Sequence, residues 1–415
     1  MNPYQIPTKE AFSGKRVVIH PFYDTIKLVE EGIWRCLVIW EGFLDFFENS
    51  ALLGLTWGNL VMLGIACLLL YLAVYKHAEP LLLVSIAFGV ILANIPAQYT
   101  GVFNEPMNGI PGGLMYYINL GLSTGILPPL IFLGIGVATD FSFLLSNPIT
   151  VFLGGAAQIG IFVTFAVSSF IGFDIRQAAA IAIIGGADGP TSIYVASLFA
   201  SDLLAIIAIA AYSYIALIPI MMPPIMKALT TKSERKIRMP MPRKVSKAEK
   251  LVFSISTTIL IGFLVPQALP LIGMLMFGNF LQENGYTKRL AEAASRFIAD
   301  PAIIFLCLAV GSKARADVFL TSQSLFILFL GAAAFSLGPA FGILFAKFMN
   351  LFLKQKINPL IGAAGVSAVP ASARVAQSVA QSEDPTNFIL MHAMGPNVAG
   401  VIGSAIAAGV FLSIL

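Results

Sequence analysis

Asp188 stands in Ile184-Gly185-Gly186-Ala187-Asp188-Gly189-Pro190-Thr191-Ser192, a polar and glycine-rich interruption of otherwise apolar sequence. Helix is expected on both sides, so the break falls at membrane depth, and Pro190 suits the first turn of the helix that resumes. An acid inside the bilayer costs several kcal/mol unless it is paired or ligated. Carbonyls freed by a break, lying beside a carboxylate, suit a hard cation. The plainer alternative is that Asp188 caps the second half-helix.

A second interruption runs from Asn358-Pro359 through Gly362, Gly365 and Ser367 to Pro370 and Arg374. Asn358 and Ser367 offer neutral oxygens, and Gly362 permits close approach of another backbone. Arg374 follows Pro370 by four residues, about one turn into the next half-helix. With few acids near it in sequence, it suits an anionic substrate group; snorkelling or a bridge to Asp188 are the alternatives. A third interruption is expected at Met394-Gly395-Pro396-Asn397, where Asn397 adds another amide oxygen. His392 beside it reads as a packed residue. Tyr212, Ser213 and Tyr214 set hydroxyls in an apolar run, as a functional group or as part of an interfacial belt. Carboxylate, amide, hydroxyl and carbonyl oxygens without a His or Cys cluster fit Na+ better than Zn2+ or Cu2+.

These residues need a membrane scaffold. Of 415 residues 58% are apolar and 11% charged, against about 25% charged in soluble domains. Mean hydropathy is +0.86. The chain is therefore expected to be an all-α polytopic membrane protein with room for roughly ten spans of ~20 residues. Continuous apolar runs argue against a β-barrel. Cys36, Cys67 and Cys307 are too scattered for a metal or redox motif, and residues 1–32 lack the apolar core of a secretory signal. No Gly-rich phosphate loop, nucleophilic triad or Met-Lys-Met biotinylation sequence is present, so biotin is not expected on this chain.

The expected organisation has four parts. Residues 1–50 form an amphipathic segment, with 33–48 lying in the membrane interface or against a partner subunit. Residues 51–226 and 251–415 form two membrane repeats, and an amphipathic connector, Lys288–Ile298, sits within the second. Residues 227–250 form a linker with nine Lys/Arg, which the positive-inside rule places in the cytoplasm. The repeats rest on four matches in the same order: Pro80 to Gly89 with Pro270 to Gly278, 132–144 with 305–320, FLGGAAQ (152–158) with FLGAAAF (329–335), and Pro190-TSIYVA with Pro370-ASARVA. An odd number of crossings in each half would invert one repeat against the other, as in secondary transporters with discontinuous helices.

GGADGPTSIY, NPLIGAAGVSAVPASARVAQ and MHAMGPNVAGVIGSAIAAG resemble the signatures of the membrane β subunits of Na+-pumping decarboxylases, the oxaloacetate, methylmalonyl-CoA, glutaconyl-CoA and malonate enzymes. The resemblance covers most of 57–415. It implies elevator-like alternating access and a subunit that decarboxylates carboxybiotin, delivered by a separate carrier protein, while exporting Na+ and consuming a proton. It also implies a carboxyltransferase subunit, a small γ or δ membrane subunit, trimeric β subunits, and a bacterial or archaeal cytoplasmic membrane. Carried over by motif, Asp188, Asn358, Ser367 and Asn397 would be Na+ ligands and Gly362 would shape their site. Arg374 would face carboxybiotin and Tyr214 would assist ion or proton handling. The rival expectation is a Na+-coupled secondary carrier, a carboxylate symporter or Na+/H+ antiporter; a structural anchor fits poorly with an intramembrane acid.

Overall fold

Apolar runs bounded by caps and prolines become helices throughout a computed structural model, which describes Trp40 and residues 50–51, 54–76, 79–96, 101–107 and 109–415. The expected interfacial helix over 33–48 lies, apart from Trp40, outside the described residues. The chain divides at Gly54, and Leu55–Leu415 form one unit.

In chain order its main helices are α1 (Trp57–Tyr75), α2 (Pro80–Asn94), α3 (Leu114–Ser123), α4 (Leu127–Ala138), α5 (Thr150–Ala157) and α6 (Ile159–Ile171). There follow α7 (Ile175–Ala182), α8 (Gly189–Phe199), α9 (Leu204–Ala216), α10 (Ile218–Leu229), α11 (Lys247–Leu264) and α12 (Leu269–Glu283). The last are α13 (Asp300–Ser312), α14 (Ser322–Phe352), α15 (Ala371–Glu383) and α16 (Leu390–Ile414). Local chemistry sets several starts. Thr56 and Asn59 form a capping box before α1, as Ser246 and Glu249 do before α11. Proline opens α2, α4 and α12, where its missing N–H is harmless.

Among the described residues five helical runs are long and apolar enough to cross a membrane: Trp57–Tyr75, Thr150–Ile171, Lys288–Ser312, Ser322–Phe352 and Leu390–Ile414. The pairs α3–α4, bent by 70°, and α9–α10, bent by 67°, raise the number to seven. The expected ten exceeds the runs that qualify among the described residues, because much apolar sequence here is divided into shorter helices. At 15 residues α2 reaches only about 22 Å, against a hydrocarbon core of ~30 Å. The apolar run over 251–283 likewise splits at Pro266 into α11 and α12.

Two other expectations change. The connector Lys288–Ile298 is helical and runs into α13 through a π-helical stretch, Ala294–Ala299. No break occurs at 394–400: α16 is one helix of 25 residues with Pro396 inside it. Proline removes one backbone bond and crowds the preceding turn, but apolar helix on both sides keeps the ladder going. Pro339 is accommodated in the same way within the 31 residues of α14.

The halves of the chain interlock through close helix crossings. A Cβ on Gly311 of α13 would sit 2.1 Å from the Ile86 carbonyl oxygen of α2. A Cβ on Gly278 of α12 would sit 2.0 Å from the Leu133 carbonyl oxygen of α4. In both crossings a helix of the first half meets one of the second. At a third, a Cβ on Gly160 of α6 would lie 2.9 Å from the Gly338 nitrogen of α14.

Candidate functional site

The break around Asp188 is the expected one. α7 tightens into a 3-10 turn over Ile183–Gly186, Ala187 takes a left-handed φ of 55°, and α8 begins at Gly189-Pro190. The second interruption forms as well: a short turn, Leu360–Ala363, gives way to non-helical backbone before α15 begins at Ala371. The two breaks touch. Ser367 donates its backbone N–H to the Gly186 carbonyl at 2.9 Å.

Asp188 is buried, and its two oxygens do different things. Oδ1 accepts the Thr191 backbone N–H at 3.1 Å, so the cap exists. Oδ2 accepts the Ser404 hydroxyl of α16 at 2.7 Å. Ser404 accepts in turn from the Ser367 hydroxyl at 2.9 Å. The carboxylate is thus hydrogen-bonded to neutral groups and takes no part in the ion pairs of the described residues. The alternative of an Arg374–Asp188 bridge is therefore not realised.

Asn397, Gly400 and Ser404 recur on one face of α16 and follow the second break along its length. Asn397 donates through Nδ2 to the Val366 and Ala368 carbonyls and to the Ser372 hydroxyl, at 2.7, 3.3 and 2.9 Å. The Gly400 carbonyl lies 2.9 Å from the Ser367 hydroxyl. Asn397 Oδ1, Thr191 Oγ1 and Gln158 Oε1 are buried with no hydrogen-bond partner. Buried polar atoms are ordinarily satisfied. Unmatched buried oxygens on the elements that meet at the carboxylate are the kind of group a hard cation takes.

The other expected residues lie apart from this arrangement or at its edge. Gly362 takes the close backbone approach: a Cβ there would be 2.1 Å from the Gly342 carbonyl oxygen of α14. Asn358 joins a different network, donating to the Arg235 and Ile237 carbonyls at 2.9 and 3.0 Å and accepting the Leu360 N–H at 3.1 Å. The Tyr214 hydroxyl donates to the Leu328 carbonyl of α14. Arg374 is exposed on α15 in line with Ser378 and Ser382, a polar stripe at helical spacing. His392 is buried, as a packed residue would be.

Three contributors were not singled out by sequence, and a fourth, Tyr212, was noted only as one of the hydroxyls in its apolar run. Ser404 and Gln158 contact the breaks from α16 and from the α5–α6 junction. Thr191 caps with Asp188, and the Tyr212 ring lies against Gly189, 2.1 Å from where a Cβ would stand. For Gln158 a signal existed, because an amide in the middle of the apolar run 148–172 is unusual. Ser404 and Thr191 carry none, since small hydroxyl residues are common in membrane helices.

A multi-pass helical protein whose two interrupted helices meet at a buried carboxylate is of the ion-handling membrane class. Comparison with known proteins places it more closely. Residues 58–415 match the family described as Na+-transporting oxaloacetate decarboxylase beta subunit. The chain is 51% identical over 394 residues to the methylmalonyl-CoA decarboxylase subunit beta of Propionigenium modestum, covering 90% of this chain and 99% of that one. It is 51% identical over 368 residues to the glutaconyl-CoA decarboxylase subunit beta of Acidaminococcus fermentans, covering 89% and 96%. To a probable oxaloacetate decarboxylase beta chain of Pasteurella multocida it is 46% identical over 426 residues, covering 90% and 98%. The chain belongs to the family of Na+-transporting decarboxylase beta subunits, and it is a multi-pass protein of the bacterial inner membrane.

Proposed function

We propose that this chain decarboxylates carboxybiotin and couples that reaction to Na+ export, as the membrane subunit of a multi-subunit decarboxylase. The observation that carries the reading is Asp188: a buried carboxylate with neutral partners only, where two broken helices meet. Asp188, Ser367 and Asn397 surround the cation, with Gly362 shaping the backbone that holds Ser367. Asn358 and Tyr214 support the site from the adjoining loop and from α9.

Proton and cation compete for Asp188. When the carboxylate is ionised, Ser404 donates to Oδ2 at 2.7 Å. When it is protonated, Ser404 can accept from it and turn its own hydroxyl to the Val401 carbonyl, 3.0 Å away. Ser367 then turns to the Gly400 carbonyl at 2.9 Å. Each hydroxyl has an acceptor in both states, so the swap leaves no buried donor unmet.

Arg374 receives the anionic end of the substrate. Its place on a stripe with Ser378 and Ser382 favours an aqueous cavity over lipid. A guanidinium holds a planar carboxylate bidentately, and loss of CO2 removes the anion it holds. Exporting two Na+ against roughly 150 mV requires about 7 kcal/mol, so the chemical step must be tied to cation release.

The architecture we infer is two inverted repeats with elevator-like movement. Support comes from the crossings, in which α2 with α13 and α12 with α4 are the same pairing with the halves exchanged, while Gly160 and Gly338 lie just beyond the matching segments 152–158 and 329–335. The partners that fit are a carboxyltransferase subunit, a separate biotin carrier, a small γ or δ membrane subunit and further copies of this chain in a trimer. The secondary-carrier alternative accounts for the cation site but not for the family.

The test uses purified protein in liposomes supplied with free carboxybiotin and Na+. The expected result is Na+-dependent CO2 release together with Na+ movement, both abolished in a folded Asp188→Asn variant. Na+ movement without CO2 release would make the protein a carrier, and full Na+ transport by the variant would remove Asp188 from the site.

A further inference from the structure

Gln158 stands at the junction of α5 and α6, inside a membrane-crossing run, and is only 4% exposed. Its backbone N–H bonds the Gly155 carbonyl rather than continuing the α-helical pattern, so the junction is tightened there. The side chain touches three elements. Its Nε2 donates to the Gly154 carbonyl and, across the interface, to the Gly365 carbonyl in the second break, both at 3.2 Å. Its stem passes α16 at Gly403, where a Cβ would lie 2.8 Å from Cγ.

The other end of the amide faces the first break. Oε1 lies 3.4 Å from where a Cβ on Gly186 would stand, and the Ser404 Cβ lies 3.2 Å from the same point. Two carbonyl oxygens at the nitrogen fix which way the amide points, because a flipped amide would set oxygen against oxygen at both. Oε1 is therefore the atom left over, buried and with no hydrogen-bond partner. The two bonds of the nitrogen account for the donor end of the amide but not for its acceptor end. A methionine or leucine would fill the space without leaving a buried acceptor unmet, which costs ~1–3 kcal/mol.

We propose that Gln158 is a ligand of the translocated cation, its amide oxygen completing the oxygen set beside Asp188 and Ser404 while its nitrogen holds the second break in register. The inference rests on the cation site of the proposed function and adds a residue to it. A neutral oxygen delivered from a third helix sets cavity size without adding charge, so Gln158 contributes to selection among small monovalent cations.

The experiment reads Na+-induced thermal stabilisation and proton release on Na+ binding, with the purified protein in weakly buffered detergent. Gln158→Met keeps the volume and should raise half-saturating Na+ by at least about tenfold. Gln158→Glu keeps an oxygen in place, and the introduced carboxyl should release additional protons per Na+ bound at a pH where the unaltered protein's release is constant. The inference is overturned if Gln158→Met shifts half-saturating Na+ by less than about twofold, or if Gln158→Glu releases no more protons than the unaltered protein. Should Gln158→Met fail to fold, the proton count of Gln158→Glu decides alone. If the unaltered protein shows no Na+ stabilisation, the cation-site reading falls and this inference with it; if it does and only the Gln158 variants behave as wild type, this inference alone falls.

Discussion

Arg374 and Asp188 both lie about the interrupted helices, yet the structure gives them different surroundings. Asp188 is enclosed by neutral donors, whereas Arg374 is exposed and takes no part in the ion pairs of the described residues. In the proposed function the cation and the anionic substrate have separate holders, so substitution should separate their functions. Arg374→Lys keeps the charge but replaces a planar fork with a point charge. Carboxybiotin decarboxylation should fall by at least about tenfold, the loss of roughly one charge-assisted hydrogen bond, while Na+-induced thermal stabilisation survives. Parallel measurement of CO2 release and melting temperature on one preparation decides the matter. Full turnover by the lysine variant would reduce Arg374 to a counter-charge.

At the scale of elements, the basic linker is fastened to the end of α15, the helix that carries Arg374. Arg235 is buried and pairs with Glu383 at 2.6 Å, and Arg238 pairs with Asp384 at 2.8 Å. Asn358 and Asn387 both donate to the Arg235 and Ile237 carbonyls, so the linker backbone is held from the other side too. The Thr386 hydroxyl, with Arg238 and the Thr386 N–H, lowers the Asp384 carboxyl to about 2. Glu383 is lowered chiefly by its bond to Arg235. A depressed carboxyl stabilises the fold at pH values above its ordinary value of about 4, and that contribution is lost as pH falls through the folded value. Asp384→Asn should thus melt a little below the unaltered protein at pH 7, with the gap narrowing below pH ~4 and closing near 2. A gap that does not change with pH would show that the amide disturbs packing rather than removing the ionised pair.

For the whole molecule, orientation follows from charge. The linker over 227–250 holds nine Lys/Arg and only Glu234 and Glu249 as acids. It should therefore be cytoplasmic, the side from which a soluble biotin carrier would reach the Arg374 helix to which the linker is bonded. Val245→Cys in an otherwise cysteine-free chain should react with a membrane-impermeant maleimide in inside-out vesicles and stay unlabelled in right-side-out ones. Labelling confined to right-side-out vesicles would reverse the orientation and the direction of access to the site.

Composition alone determined that the chain is a helical membrane protein, because 11% charged residues cannot cover the surface of a soluble fold of this length. Breaks in the apolar pattern placed Asp188 and Ser367 at interrupted helices, since Gly and Pro act on the backbone locally. The same local logic failed at Pro396, where Met394 to Gly400 remain helical within α16. It also could not separate two asparagines of identical type. Asn358 Oδ1 is taken by the Leu360 N–H, whereas Asn397 Oδ1 is free. Asn358 stands just before a short turn whose N–H two residues on is free to meet it, whereas Asn397 lies inside α16, where the neighbouring N–H groups are spent on the helix ladder. Gln158 meets Gly365 across 207 residues of sequence and approaches Ser404 from a different helix, and no spacing rule reports such neighbours. Residue type declares what an atom can donate or accept; only the tertiary fold decides which of those capacities is left unspent at the carboxylate.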